Sequence, residues 1–192
     1  MDLGLKGLNA VVTGSTAGIG KEIARSLAQE GANVAICSRR QEKVEETLAE
    51  FADLPGKVIG GAVDVTQQAD FQNWLDGIAG ELGGIDIFVA NVSPMSPNWE
   101  DAVNTDILAT VSSIDTVMPW LKKSNAGSLI YIASMAGVIG TPTMPPYGAA
   151  KAAMTHYMKS LAMSSVKDGV RVNTVSPGDI IFDGGNWDKV RL

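Results

Sequence analysis

The stretch NAVVTGSTAGIGKEIARSLAQEGANVAICS, residues 9–38, decides the fold. An apolar run (Asn9–Thr13) meets a glycine-rich turn, Thr13-Gly14-Ser15-Thr16-Ala17-Gly18-Ile19-Gly20, and an amphipathic stretch (Ile19–Gln29) follows. Gly31 then punctuates the chain before a second apolar run, Asn33–Ser38. Apolar run, turn, amphipathic helix and apolar run make a strand–helix–strand unit. Glycines at the first junction permit a tight turn and close approach of a ligand, and they aim free helix N–H groups at an anion. This placement is that of a dinucleotide-phosphate site.

The same alternation continues along the chain. Further strands are expected at Val58–Asp64, Ile85–Ala90, Ser128–Ser134 and Val170–Val175, and further helices at Gln41–Phe51, Ala69–Leu82, Trp99–Lys122 and Tyr147–Lys167. The strand runs are almost wholly apolar, as strands covered on both faces are. The expectation is one α/β unit, a doubly wound parallel sheet of order 3-2-1-4-5-6, binding ligands at the carboxyl ends of its strands.

Composition narrows the function classes. Hydrophobic residues at 45% and charged residues at 19% describe a folded globular chain. A net charge of −6 argues against a nucleic-acid surface. The single cysteine, Cys37, excludes a disulfide framework and suits a reducing compartment. The N-terminus lacks a signal-peptide pattern, and no run is long and apolar enough for a membrane span. A cytoplasmic protein is expected. No cluster has metal-ligand spacing, so no metal is expected. His156 reads as a surface or subunit-contact residue, and Cys37 as an apolar filler.

The second strand ends Ser38-Arg39-Arg40, with no acid. A carboxylate there would bind the ribose 2′-OH of NAD, whereas an arginine fork suits the 2′-phosphate of NADP. NADP(H) is therefore favoured over NAD(H), with Arg39 as the main selector and Ser38 and Arg40 assisting.

Tyr147 and Lys151 lie four residues apart in YGAAK, with Ser134 thirteen residues upstream. Side chains four apart share a helix face, which sets a phenol beside an ammonium that favours the phenolate. A hydroxyl from a neighbouring strand end completes the parts of a proton-transfer site for alcohol–carbonyl interconversion.

Taken together, these features resemble the short-chain dehydrogenase/reductase family over about residues 5–178. The glycine motif Thr13-Gly14…Gly18-Ile19-Gly20 matches that family's cofactor turn, and Asp64-Val65 matches its adenine contact. Ala90-Asn91-Val92-Ser93 corresponds to Asn-Asn-Ala-Gly, keeping only the second Asn. Ser134, Tyr147 and Lys151 match the active-site trio, and Pro177-Gly178 matches the Pro-Gly after strand six. The resemblance implies hydride transfer at a nicotinamide. Tyr147 would be the acid/base, Ser134 would hold the substrate oxygen, and Lys151 would lower the tyrosine pKa and hold the nicotinamide ribose. It also implies a homodimer or homotetramer through the two long helices.

Two departures stand out. The Asn that helps hold a relay water in the family is replaced, counting back from Ser134 and from Pro119, by Asp106, which we include among the catalytic candidates. An ionised carboxylate accepts hydrogen bonds but donates none, and its charge opposes a nearby tyrosinate. The chain also ends at Leu192, before the seventh strand and part of the substrate lid that relatives carry, and lacks their Thr after Pro-Gly. These departures keep open an alternative, an NADP(H)-binding protein with little catalysis. Loop residues Met95, Met144, Phe182 and Trp187 are candidate liners of an apolar pocket. A hydrophobic substrate, such as a 3-oxoacyl compound, follows from them.

Overall fold

The computed structural model describes residues 2–182. The opening unit forms as read: β1 (Asn9–Val12), α1 (Gly18–Gln29) and β2 (Asn33–Ser38). The chain continues through α2 (Gln41–Glu50), β3 (Val58–Ala62), α3 (Gln68–Leu82) and β4 (Ile87–Ala90). The long fourth helical region comes in three pieces: a short α4 (Trp99–Asp101), a π-helical segment (Ala102–Ala109) and α5 (Thr110–Leu121). Then come β5 (Ser128–Ile132), a single 3₁₀ turn (Met135–Gly137), α6 (Pro145–Ser165) and β6 (Arg171–Val175). All six strands pair in parallel in the order β3-β2-β1-β4-β5-β6.

Period-two side-chain alternation explains why the strands read as continuous apolar runs. Val12, Val34, Ile36 and Val89 face α1 and α2, in a core with Ala24, Ala28, Val44 and Phe51. Val11, Ala35, Phe88 and Leu129 face the opposite layer, packing with Phe71, Leu75, Ile114, Leu121 and Met154. Two such layers hold the sheet flat against helices on both faces and leave its carboxyl edge free for loops.

Several boundaries differ from the expectation. The strands stop short of Thr13, Asp64 and Ser134, because the chain turns away there to build the loops at the carboxyl edge. β4 starts at Ile87, although Ile85 is buried. Helix α6 starts at Pro145, a residue suited to a first turn whose N–H groups have no helical acceptor. The fourth helical region is not one α-helix. Within it the Thr110 hydroxyl donates to the Thr105 carbonyl five residues back (3.3 Å), consistent with the wider π turn. Trp187 and Leu192 lie outside the described residues. Among the described residues, no helix is long and apolar enough to cross a membrane.

Candidate active site

The glycine turn is held from below. Asn91, just past β4, donates its side-chain amide to the carbonyls of Thr13 (3.0 Å) and Gly14 (3.2 Å), and its N–H to the Thr13 hydroxyl (3.0 Å). Gly14 and Gly18 adopt positive φ, +63° and +53°, where a side chain is strained. A Cβ at Gly20 would collide with the Gly14 carbonyl, so that glycine allows helix and turn to meet. No side chain caps α1 at Ala17, which leaves the first helical N–H groups directed at the groove. Ser15 is a correction to the expected ligand set. It is fully buried, its hydroxyl donates to Val12 (2.6 Å) and accepts from Cys37 (3.0 Å), and its own N–H bonds the Cys37 carbonyl. With every donor engaged, Ser15 braces the turn and does not face a ligand.

A cleft of about 380 Å³ opens beside the turn, lined by Gly14, Ser38, Arg39, Asp64, Val65 and Asn91. Asp64 accepts two hydrogen bonds from Thr66, which fixes the loop after β3. Arg40, one residue on, is the N-cap residue of α2 and its side chain is exposed. Thr16, Gly18 and Ile19 line the neighbouring opening with Pro177. The residues fit a dinucleotide: glycine-rich turn, uncapped helix start, arginine fork and carboxylate lie along one carboxyl edge. One feature narrows the path. The Phe182 ring packs on Gly18, 2.8 Å from where a Cβ would stand.

The proton-transfer candidates gather next door. Ser134 lies two residues past the end of β5, in an extended conformation, and accepts from the N–H of Ala136 (3.1 Å). The 3₁₀ turn after it lies close to α6, where a Cβ on Gly148 would sit 2.9 Å from the Ala136 carbonyl. This close approach sets Ser134 beside Tyr147. Both line a cleft of about 560 Å³ with Ile19, Met95, Met144, Pro177, Gly178 and Phe182, so three of the four expected apolar liners are in place. Lys151 is 2% exposed beneath them. Its ammonium donates to the Ile132 carbonyl (3.1 Å) and pairs with Asp106 (3.2 Å). An ammonium has three donors, so one is left. Asp106 itself is fully buried, placed inward by the π-helical segment.

The electrostatics depart from the expected pattern. Burial pushes the Tyr147 phenol above its ordinary value, the Ser134 hydroxyl pulls it down, and Asp106 pushes it up. The expected lowering by Lys151 does not prevail. Burial lowers Lys151, while Asp106 works to keep it charged. The opposition between Asp106 and a tyrosinate is thus the one anticipated from the Asn-to-Asp departure. Sequence reading missed Tyr131, whose ring lies 4.9 Å from the Lys151 ammonium. On an apolar strand nothing marks such a residue except its register. His156 stands away from these clefts on α6. Cys37 is buried, its thiol pushed up to about 12, and is inert at neutral pH.

Fold and site define an NAD(P)-dependent oxidoreductase acting on CH–OH groups. A family model described as short chain dehydrogenase matches residues 8–183, and the chain belongs to that family. Isoepoxydon dehydrogenase patN of Penicillium expansum is 33% identical over 96% of this chain and 75% of its own length. Sorbose reductase SOU1 of Candida albicans is 37% identical over 93% of this chain and 68% of its own. Among solved structures, L-sorbose reductase of Gluconobacter frateurii, complexed with NADPH and L-sorbose, superposes with a TM-score of 0.91 at 28% identity, covering 99% of this chain and 81% of that one.

Proposed function

We propose that the protein interconverts a secondary alcohol and a carbonyl with NADP(H), using Tyr147 as acid/base. One observation carries this reading: Ser134 and Tyr147 line a cleft that shares Ile19 and Pro177 with the opening beside the glycine turn, with Lys151 buried below. When bound, the nicotinamide supplies or accepts the hydride. Gly14, Thr16, Gly18, Ile19 and Gly20 would hold the phosphates by turn and helix start. Asp64, Val65 and Asn91 would border the adenosine, and Pro177 and Gly178 the nicotinamide end. In reduction Tyr147 donates its proton to the developing alkoxide; in oxidation its phenolate takes the proton from the alcohol. Ser134 orients the substrate oxygen. Lys151, with one donor free, supports charge at Tyr147 and is available to a ribose hydroxyl.

For the cofactor, the Arg39 fork and the lack of an acid at the end of β2 support NADP(H). For the substrate, Ile19, Met95, Met144 and Phe182 give an apolar wall that suits a hydrophobic carbonyl such as a 3-oxoacyl compound. A ketose or polyol is the second reading, favoured by the likeness to two sorbose reductases and by Thr141, Thr143 and Asp179 in the same cleft. The test is NADPH fluorescence titration followed by turnover on a 3-oxoacyl thioester and on sorbose. Binding with turnover of the thioester supports the first reading, and turnover of sorbose alone the second. Binding with neither would remove both.

A further inference from the structure

Three buried oxygens around Lys151 hydrogen-bond to no other protein group: both carboxylate oxygens of Asp106 and the Tyr131 hydroxyl. Asp106 Oδ1 has the Lys151 ammonium at 3.2 Å, which leaves Asp106 Oδ2 and the Tyr131 hydroxyl with no partner, and buried polar atoms in folded proteins are almost always paired. Their chemistry is complementary. A carboxylate only accepts, and a phenol has one proton to give. Both groups flank one ammonium, with Asp106 at 3.2 Å and the Tyr131 ring centroid at 4.9 Å. Tyr131 is 1% exposed on the face of β5 that packs with the helical layer containing Ala109 and Met154. Its phenol is held well above the ordinary range by burial, then by Asp106 and Tyr147, so it remains a donor throughout the working range.

We propose that Tyr131 is a positioning residue: its hydroxyl donates to Asp106 through one shared water, and fixes that carboxylate beside Lys151 and Tyr147. The proposal rests on Tyr147 being the acid/base. The charged or titratable groups facing Tyr147 are Asp106 from the π-helical segment, Lys151 from its own helix and Tyr131 from β5, with the Ser134 hydroxyl above. A donor on the carboxylate fixes its orientation and distance, so Tyr131 governs how Asp106 acts on its two neighbours. The aromatic ring would remain in Tyr131→Phe, keeping the packing on Lys151 and removing only the hydroxyl.

The test compares pH–rate profiles of the wild type, Tyr131→Phe, Asp106→Asn and the double variant. Tyr131→Phe should displace the Tyr147 limb, changing the rate at a fixed pH on that limb by roughly twofold or more, and should have no such effect once Asp106 is Asn. The double variant should move no further than Asp106→Asn alone. A Tyr131→Phe profile superimposable on the wild type overturns the proposal, as does a displacement that adds in full to that of Asp106→Asn. Ultraviolet phenolate titration of the same set in a Tyr157→Phe background reads the coupling without turnover. Coupled phenolate shifts without any catalysis would support the Tyr131 assignment while defeating the proposed activity.

Discussion

At the scale of single residues, chemistry and burial set separable expectations. Arg39 stands at the end of β2 in the adenosine-side cleft, so Arg39→Ala should weaken NADPH by roughly tenfold or more while leaving NADH nearly unchanged, as expected for loss of a charge-assisted bidentate contact. Paired affinity titrations check this, and an unchanged NADPH/NADH ratio removes Arg39 as the selector. Cys37 makes an alkaline prediction. Its buried thiol stays protonated in the fold up to about 12, whereas the unfolded thiol ionises near its ordinary value of 9.0. Its contribution is present below pH 9.0 and is lost as the pH climbs toward about 12. Chemical denaturation across that window should show Cys37→Ala with a shallower fall in stability than the wild type. The placements that the sequence made plain were those whose residue type is itself the signal: the turn glycines at positive φ and the Tyr147–Lys151 pair on one helix. Tyr131 was hidden because a tyrosine in an apolar run reads as core, and its polar tip matters only once Asp106 is seen opposite it.

Among elements, the central strands were legible because strands buried on both sides must be largely apolar, as β1, β2, β4 and β5 are. The edge strand β6, in contrast, carries Arg171, Asn173 and Thr174 and is partly exposed. The fourth helical region was less legible. Its apolar pattern is compatible with an ordinary α-helix, yet Thr110 captures a carbonyl five residues back, and the segment widens into a π-helix that turns Asp106 inward. Hydrogen bonds of that kind leave little trace in hydropathy. The contact between the 3₁₀ turn and α6 was also unmarked, although it sets Ser134 beside Tyr147. Gly148→Ala should force that contact apart, because the added methyl would meet the Thr141 hydroxyl at 2.6 Å and the Ala136 carbonyl at 2.9 Å. A loss of about 1–3 kcal/mol is expected from such overpacking. Thermal melts and turnover should fall together, and a variant with native melting and native turnover would show that the contact is slack.

For the whole molecule, the carboxyl edge of the sheet gathers the cleft beside the glycine turn, the Ser134–Tyr147 cleft and the segment after β6. That segment lays Phe182 on Gly18, so dinucleotide entry should require the ring to move. Phe182→Ala is expected to tighten NADPH binding several-fold, read by fluorescence titration, and weaker binding would mean that the ring supports the cofactor. Trp99, Leu108, Met163 and Val166 are exposed on or just beyond the two long helical regions, Leu108 close to Arg39 and Asp64. Light scattering should report a dimer or tetramer, and Leu108→Glu should shift it toward monomer.

The central claim is that the Tyr147 hydroxyl moves the proton while other groups hold the cofactor. Measuring NADPH affinity and turnover side by side for the wild type and Tyr147→Phe tests it most directly. The account predicts affinity within about twofold and turnover lower by roughly 10²–10⁴-fold, the usual contribution of a positioned acid/base. Near-native turnover in Tyr147→Phe would contradict it.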